Sequence, residues 1–537
     1  MTTIITCIFF TALVAGLTYY FTKGKGTNDE EGYFLAGRSL TGIVIAGSLL
    51  LTNLSTEQLV GLNGDAFKEG MSVMAWEVVA GLSLIVLALV FLPRYLKSGI
   101  ATIPQFLEMR YGSGVRALTT FVFIVAYTLI LLPFVLFLGA TGLSGMLDLQ
   151  QTLGLSANGT IWAVVIFVAV VGSGYAIFGG LRAVAVSDTF NGAGLLIGGL
   201  MVTFFALKSV DSSIFGAFAQ IKEANPDAFN SIGKKGESVY WPTLFTGVLL
   251  LNFFYWTTNQ QIIQRTFGAK NLAEGQKGVL LAAFFKILAP IILVVPGIVA
   301  AHYALTSPDS EIALAIEGNR GKAYGSLVRY VLPPVFTGFF AAVVIGSILS
   351  TFNSVLNSSA TLFSLGVYKK IINPNATTEQ TVRSGRICSL AVAVFATIAA
   401  PVFFIGRNEL FSYFQSLNGI YFIPILAIVL VGMFNKTADG KSALITALIG
   451  LAAMGYGTFA GGGKWAGETF GSGFHYMGLV FVTLVALQLI LGRSMKLATP
   501  YVQQDAKVVD LTPWKHAKLV GATLAIAVLV IYLLLAL

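Results

Sequence analysis

The residues able to do chemistry in this chain are polar groups set inside long apolar runs. Leu49-Leu50-Leu51-Thr52-Asn53-Leu54-Ser55-Thr56-Glu57-Gln58 is entered through apolar residues from Ile43 and left through Leu59, Val60 and Leu62. Glu77 stands between Trp76 and Val78, and Lys286 lies in Ala282-Ala283-Phe284-Phe285-Lys286-Ile287-Leu288. An unpaired charge at the centre of a membrane helix costs about 2.5 to 3.5 kcal/mol on insertion scales, so each either finds a partner inside a bundle or snorkels to an interface. Asn252, Tyr255 and Trp256 fall at i, i+3 and i+4, which puts an amide and two aromatics on one helix face. Gln415 stands alone in Phe411-Ser412-Tyr413-Phe414-Gln415. Any one of these side chains can equally be a helix-to-helix hydrogen bond. As a set, a carboxylate, an ammonium, three carboxamides and aromatic faces are suited to a polyhydroxylated ring, with polar groups bonding paired hydroxyls and aromatics covering the C–H face.

A second set suits a cation. Ser347, Ser350, Thr351, Ser354 and Ser358 recur at i, i+3, i+4, i+7 and i+11, one stripe of small hydroxyls. Close helix packing accounts for such a stripe. The alternative is that Ser350 and Thr351 join carbonyls freed at Leu51 and Leu54, where the first polar run interrupts its helix, to hold a small hard ion through oxygen. The absence of an obvious carboxylate from that shell suits a monovalent ion better than calcium. Asp188, in Ala183-Val184-Ala185-Val186-Ser187-Asp188-Thr189, is either an exposed N-cap or the inner exit point for a cation.

The elements that must carry these residues are membrane helices. Of 537 residues 56% are hydrophobic and 11% charged, a balance that excludes an ordinary soluble enzyme and implies one integral membrane domain. The net charge of +9 is not gathered into one face or arm, so nucleic acid is not an expected partner; the lipid bilayer is. Cys7 and Cys388 lie in apolar segments, and His302, His475 and His516 are far apart, so neither a disulfide framework nor a resident metal or cofactor is expected.

At roughly 20 apolar residues per crossing, the chain reads as about fourteen spans. They lie near 2–22, 40–66, 70–98, 115–148, 159–179, 183–208, 241–263, 277–305, 329–368, 383–405, 409–433, 440–460, 474–492 and 515–537. No basic residue precedes the first span and no small-residue cleavage pattern follows it, while Lys23 and Lys25 do, so it is expected to be retained with its N-terminus outside. That orientation gathers Arg94, Lys97, Arg110, Arg116, Arg182, Arg265, Lys270, Lys369, Lys370, Arg383, Arg386, Lys436, Lys441, Arg493 and Lys496 on the cytoplasmic side and leaves acids such as Asp227, Asp309, Glu311 and Glu317 outside. A plasma (inner) membrane protein with both termini extracytoplasmic follows. Short surface helices are expected in two outside loops, one carrying Ile214, Phe215, Phe218 and Ile221, the other starting at Ser307-Pro308-Asp309. Gly461-Gly462-Gly463-Lys464 reads as a flexible loop rather than a phosphate site, because no strand precedes it. Leu249-Leu250-Leu251-Asn252, followed by Thr257-Thr258-Asn259-Gln260, echoes the first interrupted run five spans earlier; paired interruptions are the mark of an inverted-repeat transporter.

Several stretches carry a family resemblance: Tyr33-Phe34-Leu35-Ala36-Gly37-Arg38-Ser39, Thr102-Ile103-Pro104-Gln105-Phe106-Leu107, Tyr175-Ala176-Ile177-Phe178-Gly179-Gly180-Leu181-Arg182-Ala183 and Gln264-Arg265-Thr266. The chain resembles the solute:sodium symporter family, and Asn53 to Gln58 with Asn259 to Arg265 are most similar to its bacterial sodium/galactose and sodium/glucose members. The resemblance implies an all-α polytopic fold with a five-plus-five inverted-repeat core and a discontinuous first core helix. Residues 1–39 would form an extra N-terminal helix and loop, 40–208 and 241–460 the two repeats, 209–240 an extracellular loop and 461–537 extra C-terminal helices. It implies sugar bonding by Gln58, Glu77, Asn252, Lys286 and Gln415, with Tyr255 as inner gate, and Trp256 shares that residue's helix face. For sodium, the coupling ion, it implies backbone oxygens of Leu51, Leu54 and Ser347 with hydroxyls of Ser350 and Thr351. Asp188 would lie on the ion's inward path; with Ser354 it is of the residue types that form a second ion site in some relatives and that also occur in single-ion members, so one and two sodium ions both stay open. Ala80 replaces a serine contact of the galactose symporter, and Trp76 a tyrosine of its outer gate.

The expected activity is import of a galactose- or glucose-type monosaccharide with sodium, by alternating access and with no obligate protein partner. Inositol, sialic acid or an amino acid are the alternative cargoes. An intramembrane enzyme or sensor finds no histidine-rich or nucleophile-base constellation at membrane depth.

Overall fold

In hydrocarbon every backbone N–H and C=O must be satisfied inside its own segment, so apolar runs of this length become helices. The computed structural model describes residues 2–23, 29–147, 149–316, 320–406 and 410–536, with backbone alone at 56, 57, 175–179 and 410–412. Lys25, Glu317 and the side chains of Glu57, Phe411, Ser412 and Tyr175 to Gly179 therefore lie outside the described residues. Among these residues the regular structure is all helical, with two isolated bridges, Leu40 to Ala269 and Ala438 to Lys496, and no strand.

Among the described residues eleven helices are long and apolar enough to cross a membrane, or twelve if the bent pair Leu272–Leu288 and Pro290–Thr306, with its 41° angle, is one span. Besides that bent pair, at the expected span 277–305, the expected spans that do not pass this test on their own are 40–66 and 241–263, and both are broken. The first divides into Gly42–Asn53 and Thr56–Glu69, the second into Gly247–Thr257 and Gln260–Phe267. The halves of each are too short to span hydrocarbon, so each depends on its neighbours.

The spans expected at 159–179 and 183–208 form one helical stretch, Ala157–Val210, interrupted at Gly180. Gly180 has φ 58°, and a Cβ there would meet the carbonyl oxygen of Tyr33 at 2.9 Å, so glycine is required on two counts. What presses on it is the segment after the first helix. Tyr33, Phe34, Leu35 and Ala36 are buried, and the chain turns back through consecutive left-handed residues Ala36, Gly37 and Arg38. For Ala36 and Arg38 that conformation costs about 1–2 kcal/mol each. Arg38 offsets this by bonding Glu31 Oε1 at 2.7 Å, Gly99 O at 2.9 Å and Phe267 O at 3.2 Å.

The loops expected to be basic share one end of the bundle. There the extended segment between the last two helices ties three helix ends together, through Tyr501 N to Lys436 O, Ala506 N to Lys97 O and Leu272 N to Asp510 O. The opposite end carries the surface helices Ile214–Ala224 and Glu311–Ile316, and the C-terminus, where Ser231 N bonds Leu535 O. Ile221 packs inward from its surface helix as expected, whereas Phe215 faces outward. The glycine run at 460–463 is a tight 3-10 turn with left-handed Gly461 and Gly462.

Three of the arginines expected on the cytoplasmic side are buried. Arg265, Arg110 and Arg116 are 1%, 3% and 7% exposed. Arg110 donates to Gly432 O and Asn435 O, and Arg116 to Glu108 and Leu365 O, so these two clamp helix ends with their charge.

Candidate substrate and ion sites

The break in the first helix is made by amides that choose the wrong carbonyls for a helix. Leu54 N bonds Leu50 O, but Ser55 N turns to Asn53 O at 2.7 Å and Gln58 N to Ser55 O at 3.0 Å. The carbonyls of Leu51 and Leu54 thereby lose the donors that an unbroken helix would give them. Helix Pro334–Phe363 crosses here with its hydroxyl stripe buried. Thr351 Oγ1 donates to Thr52 O at 2.9 Å, Ser350 Oγ lies 3.4 Å from Thr52 Oγ1, and Ser354 Oγ lies 3.3 Å from it. Ser347 Oγ is buried with no hydrogen-bond partner. The structure thus gathers the Leu51 and Leu54 carbonyls with Ser347, Ser350 and Thr351 around one break, and the Asp188 carboxylate adjoins this set of oxygens through Thr52.

Asp188 is not an exposed N-cap. It lies two turns beyond the kink at Gly180, 1% exposed, and accepts from Ser48 Oγ at 2.6 Å and Thr52 Oγ1 at 3.5 Å. Beside it stands Arg265, one of the basic residues expected on the cytoplasmic side. Arg265 donates to Ser48 O, Thr52 Oγ1, Gln261 O and Ser354 Oγ, with Nη1 3.9 Å from Asp188 Oδ2. A basic residue among buried amides in Gln260-Gln261-Ile262-Ile263-Gln264-Arg265 was the available signal.

The second break is bridged by tyrosines from two other helices. Tyr127 Oη donates to Asn259 Oδ1 and accepts from Gln261 N at 3.0 Å, while Tyr95 Oη donates to Thr257 O at 3.0 Å. Below it, Gln264 bonds Phe34 O, Asn357 and Thr361, and Gln260 bonds Ala101 O and Ile103 N. The half-helix Gln260–Phe267 is consequently buried along its whole length.

Between the broken helices lies a cavity with an empty volume of about 510 Å³. Gln58, Trp76, Glu77, Asn252, Tyr255, Trp256 and Gln415 all line it, together with Ala80. Lys286 does not. It is fully buried behind the wall, donating to Glu77 and Asn53, with its ammonium 5.4 Å from the centre of the Trp256 ring. Neither Glu77 nor Lys286 snorkels; each is the other's partner. Asn53, Asn418, Phe414 and Phe422 also line the cavity and were not expected there. Asn418, one turn after Gln415 and donating to it at 3.2 Å, was legible from its spacing. Gln58 Oε1 is buried without a partner, whereas the ring of Trp76 packs edge-on against Phe474 at 5.8 Å. Tyr255 is half-buried between Trp256 and Phe422. No lysine or arginine lines this cavity among the described residues, and its Glu77 carboxylate is paired with Lys286 from behind, so its wall is neutral, amide-rich and aromatic.

The chain as a whole is similar to known proteins. A family model described as the sodium:solute symporter family matches residues 33–450. The chain is 42% identical over 533 residues to the uncharacterized symporter YidK of Escherichia coli K12, spanning 98% of this chain and 90% of that one. It is 32% identical over 454 residues to the sodium/glucose cotransporter of Vibrio parahaemolyticus, spanning 81% of each. Among solved structures it superposes on a Na+-coupled sialic acid symporter with a TM-score of 0.77, covering 94% of this chain and 99% of that one at 19% identity, a likeness of fold.

Proposed function

The chain belongs to the sodium:solute symporter family, a family of transporters and not of enzymes, and from that premise we propose that it carries a neutral monosaccharide of the galactose or glucose type inward with sodium. The observation that carries the reading is the cavity wall. Its one carboxylate among the described residues, Glu77, is neutralised by Lys286, which also donates to Asn53 Oδ1, and its remaining polar groups are mainly carboxamides beside Trp76, Tyr255 and Trp256. Amides match vicinal hydroxyls as paired donors and acceptors, and the aromatic faces match the ring's C–H surface. An anionic cargo such as a sialic acid, or an amino acid carboxylate, needs a cation within reach. Lys286 is already held, and no other basic side chain faces the cavity among the described residues.

Sodium, in this reading, is held by the carbonyls of Leu51, Leu54 and Ser347 and the hydroxyls of Ser350 and Thr351. It draws the first broken helix onto helix Pro334–Phe363 and so favours the state in which Gln58 faces the sugar. The coupling lies in the two states' different affinities for sodium. With the basic end cytoplasmic, sodium leaves past Asp188 and sugar past Tyr255, and each inward charge contributes about 2.3 kcal/mol per 100 mV of membrane potential.

Sodium-driven counterflow in proteoliposomes, across a panel of hexoses, myo-inositol, a sialic acid and neutral amino acids, tests this. A hexose is expected to exchange fastest. Exchange of the sialic acid or an amino acid alone would falsify the proposal, and inositol alone would keep the polyol chemistry but reject the monosaccharide.

A further inference from the structure

Arg265 is a cation set among the oxygens that the proposed ion path uses. Its Nη1 donates to Ser48 O at 2.9 Å and to Thr52 Oγ1, and its Nη2 to Gln261 O at 2.7 Å and Ser354 Oγ at 2.9 Å. The Asp188 carboxylate, 3.9 Å away, is its counter-ion, and Nε has no partner. Thr52 faces both sides of this arrangement. Its carbonyl takes the Thr351 hydroxyl and its own hydroxyl lies 3.4 Å from Ser350 Oγ, while that same hydroxyl takes the guanidinium. A sodium ion moving from the hydroxyls at 347–351 toward Asp188 therefore meets a like charge inside a buried, weakly screening interior.

We propose that Arg265 is the latch of the ion path: sodium arriving at Asp188 takes over the carboxylate, the guanidinium loses its counter-ion and releases Thr52 and Ser354, and the half-helix Gln260–Phe267 is freed to move. This rests on the reading of Asp188 as the ion's way out. The half-helix that Arg265 holds directly follows the one bearing Tyr255, so ion release and opening of the sugar's inner gate become one motion. Until sodium reaches Asp188, the guanidinium keeps the path shut, and the carrier does not leak. Arg265 is thus a positioning residue for coupling, acting through the half-helix on the sugar gate.

The experiment is sugar-free 22Na+ efflux from proteoliposomes holding the full chain, beside sodium-driven accumulation of labelled galactose. Arg265→Gln is expected to raise the sugar-free leak per folded carrier about tenfold and to lower the accumulation ratio toward one, and Arg265→Lys, which keeps the charge but not the planar fork, to fall between. Ser354→Ala removes one acceptor and leaves the guanidinium, so it is expected to leak in the same direction but less; it decides the matter if Arg265→Gln does not fold. If Arg265 is only a packing group, the variants yield less folded protein with an unchanged leak per carrier, and the proposal is overturned. Thr351→Ala separates the two readings. Unaltered sodium dependence there rejects the ion site itself, whereas loss of sodium dependence together with tightly coupled Arg265→Gln and Ser354→Ala rejects the latch alone. The sodium readout needs no sugar, so it stands whichever cargo the carrier takes.

Discussion

Thr351 donates its hydroxyl to the backbone carbonyl of Thr52 across 2.9 Å, joining helix Pro334–Phe363 to the last turn before the break in the first core helix. The bond satisfies one carbonyl at the break and aligns the hydroxyl stripe with those of Leu51 and Leu54.

Thr351→Ala is expected to weaken apparent sodium affinity in sugar uptake by about tenfold, the equivalent of one lost oxygen ligand at about 1.4 kcal/mol. Thr351→Ser keeps the hydroxyl and is expected to stay close to the parent. The half-saturating sodium concentration, measured at saturating sugar, is the readout.

Glu77 and Lys286 are a buried pair, and breaking it from one side leaves an unpaired charge. Glu77→Gln or Lys286→Met alone is expected to cost about 3–5 kcal/mol in stability, and the double variant to recover much of that, because the stranded charge is gone. Thermal unfolding of the detergent-solubilised protein would reveal the non-additivity. Transport is expected to be lost in all of them, since Glu77 lines the cavity.

Gln58 gives the opposite pattern. Its Oε1 is buried and unpartnered, so the unloaded fold gains nothing from that atom. Gln58→Ala is expected to leave stability within about 0.5 kcal/mol of the parent while raising KM for sugar about tenfold. A fall in stability equal to the loss in apparent sugar affinity would show that Gln58 supports the fold instead.

Tyr127 spans the second break as donor to Asn259 and acceptor from the amide of Gln261. Tyr127→Phe strands both in a buried setting and is expected to destabilise the protein by about 1–3 kcal/mol. Faster hydrogen exchange is expected at Gln261 and its neighbours, with the first broken helix unaffected.

Much of this was legible from residue types alone. Polar residues inside apolar runs are costly enough that they betray breaks and cavities, and so Asn53 to Gln58, Glu77 and Asn252 marked their places. Apart from the bent pair at 277–305, the spans that failed the length test were the two with such interruptions. Partners were less legible. Lys286 and Glu77 are 209 positions apart, and their pairing depends on how two helices are rotated about each other, which no local pattern encodes. Arg265 was hidden for a different reason: a basic residue near a span's end has the same sequence appearance whether it faces water or a buried carboxylate. Asp188 misled in the same way, because its span was taken to start just before it, whereas the helix begins its last straight section at Gly180.

The neutral wall of the cavity also bears on electrical recording. Glu77 and Lys286 cancel, and no other charged side chain lines the space among the described residues. With the neutral sugar proposed above as cargo, and with the protein's own charges returning over each cycle, the steady-state current counts cations alone. Dividing that current by the sugar flux reads out the number of ions per turnover directly, without a model of the binding sites.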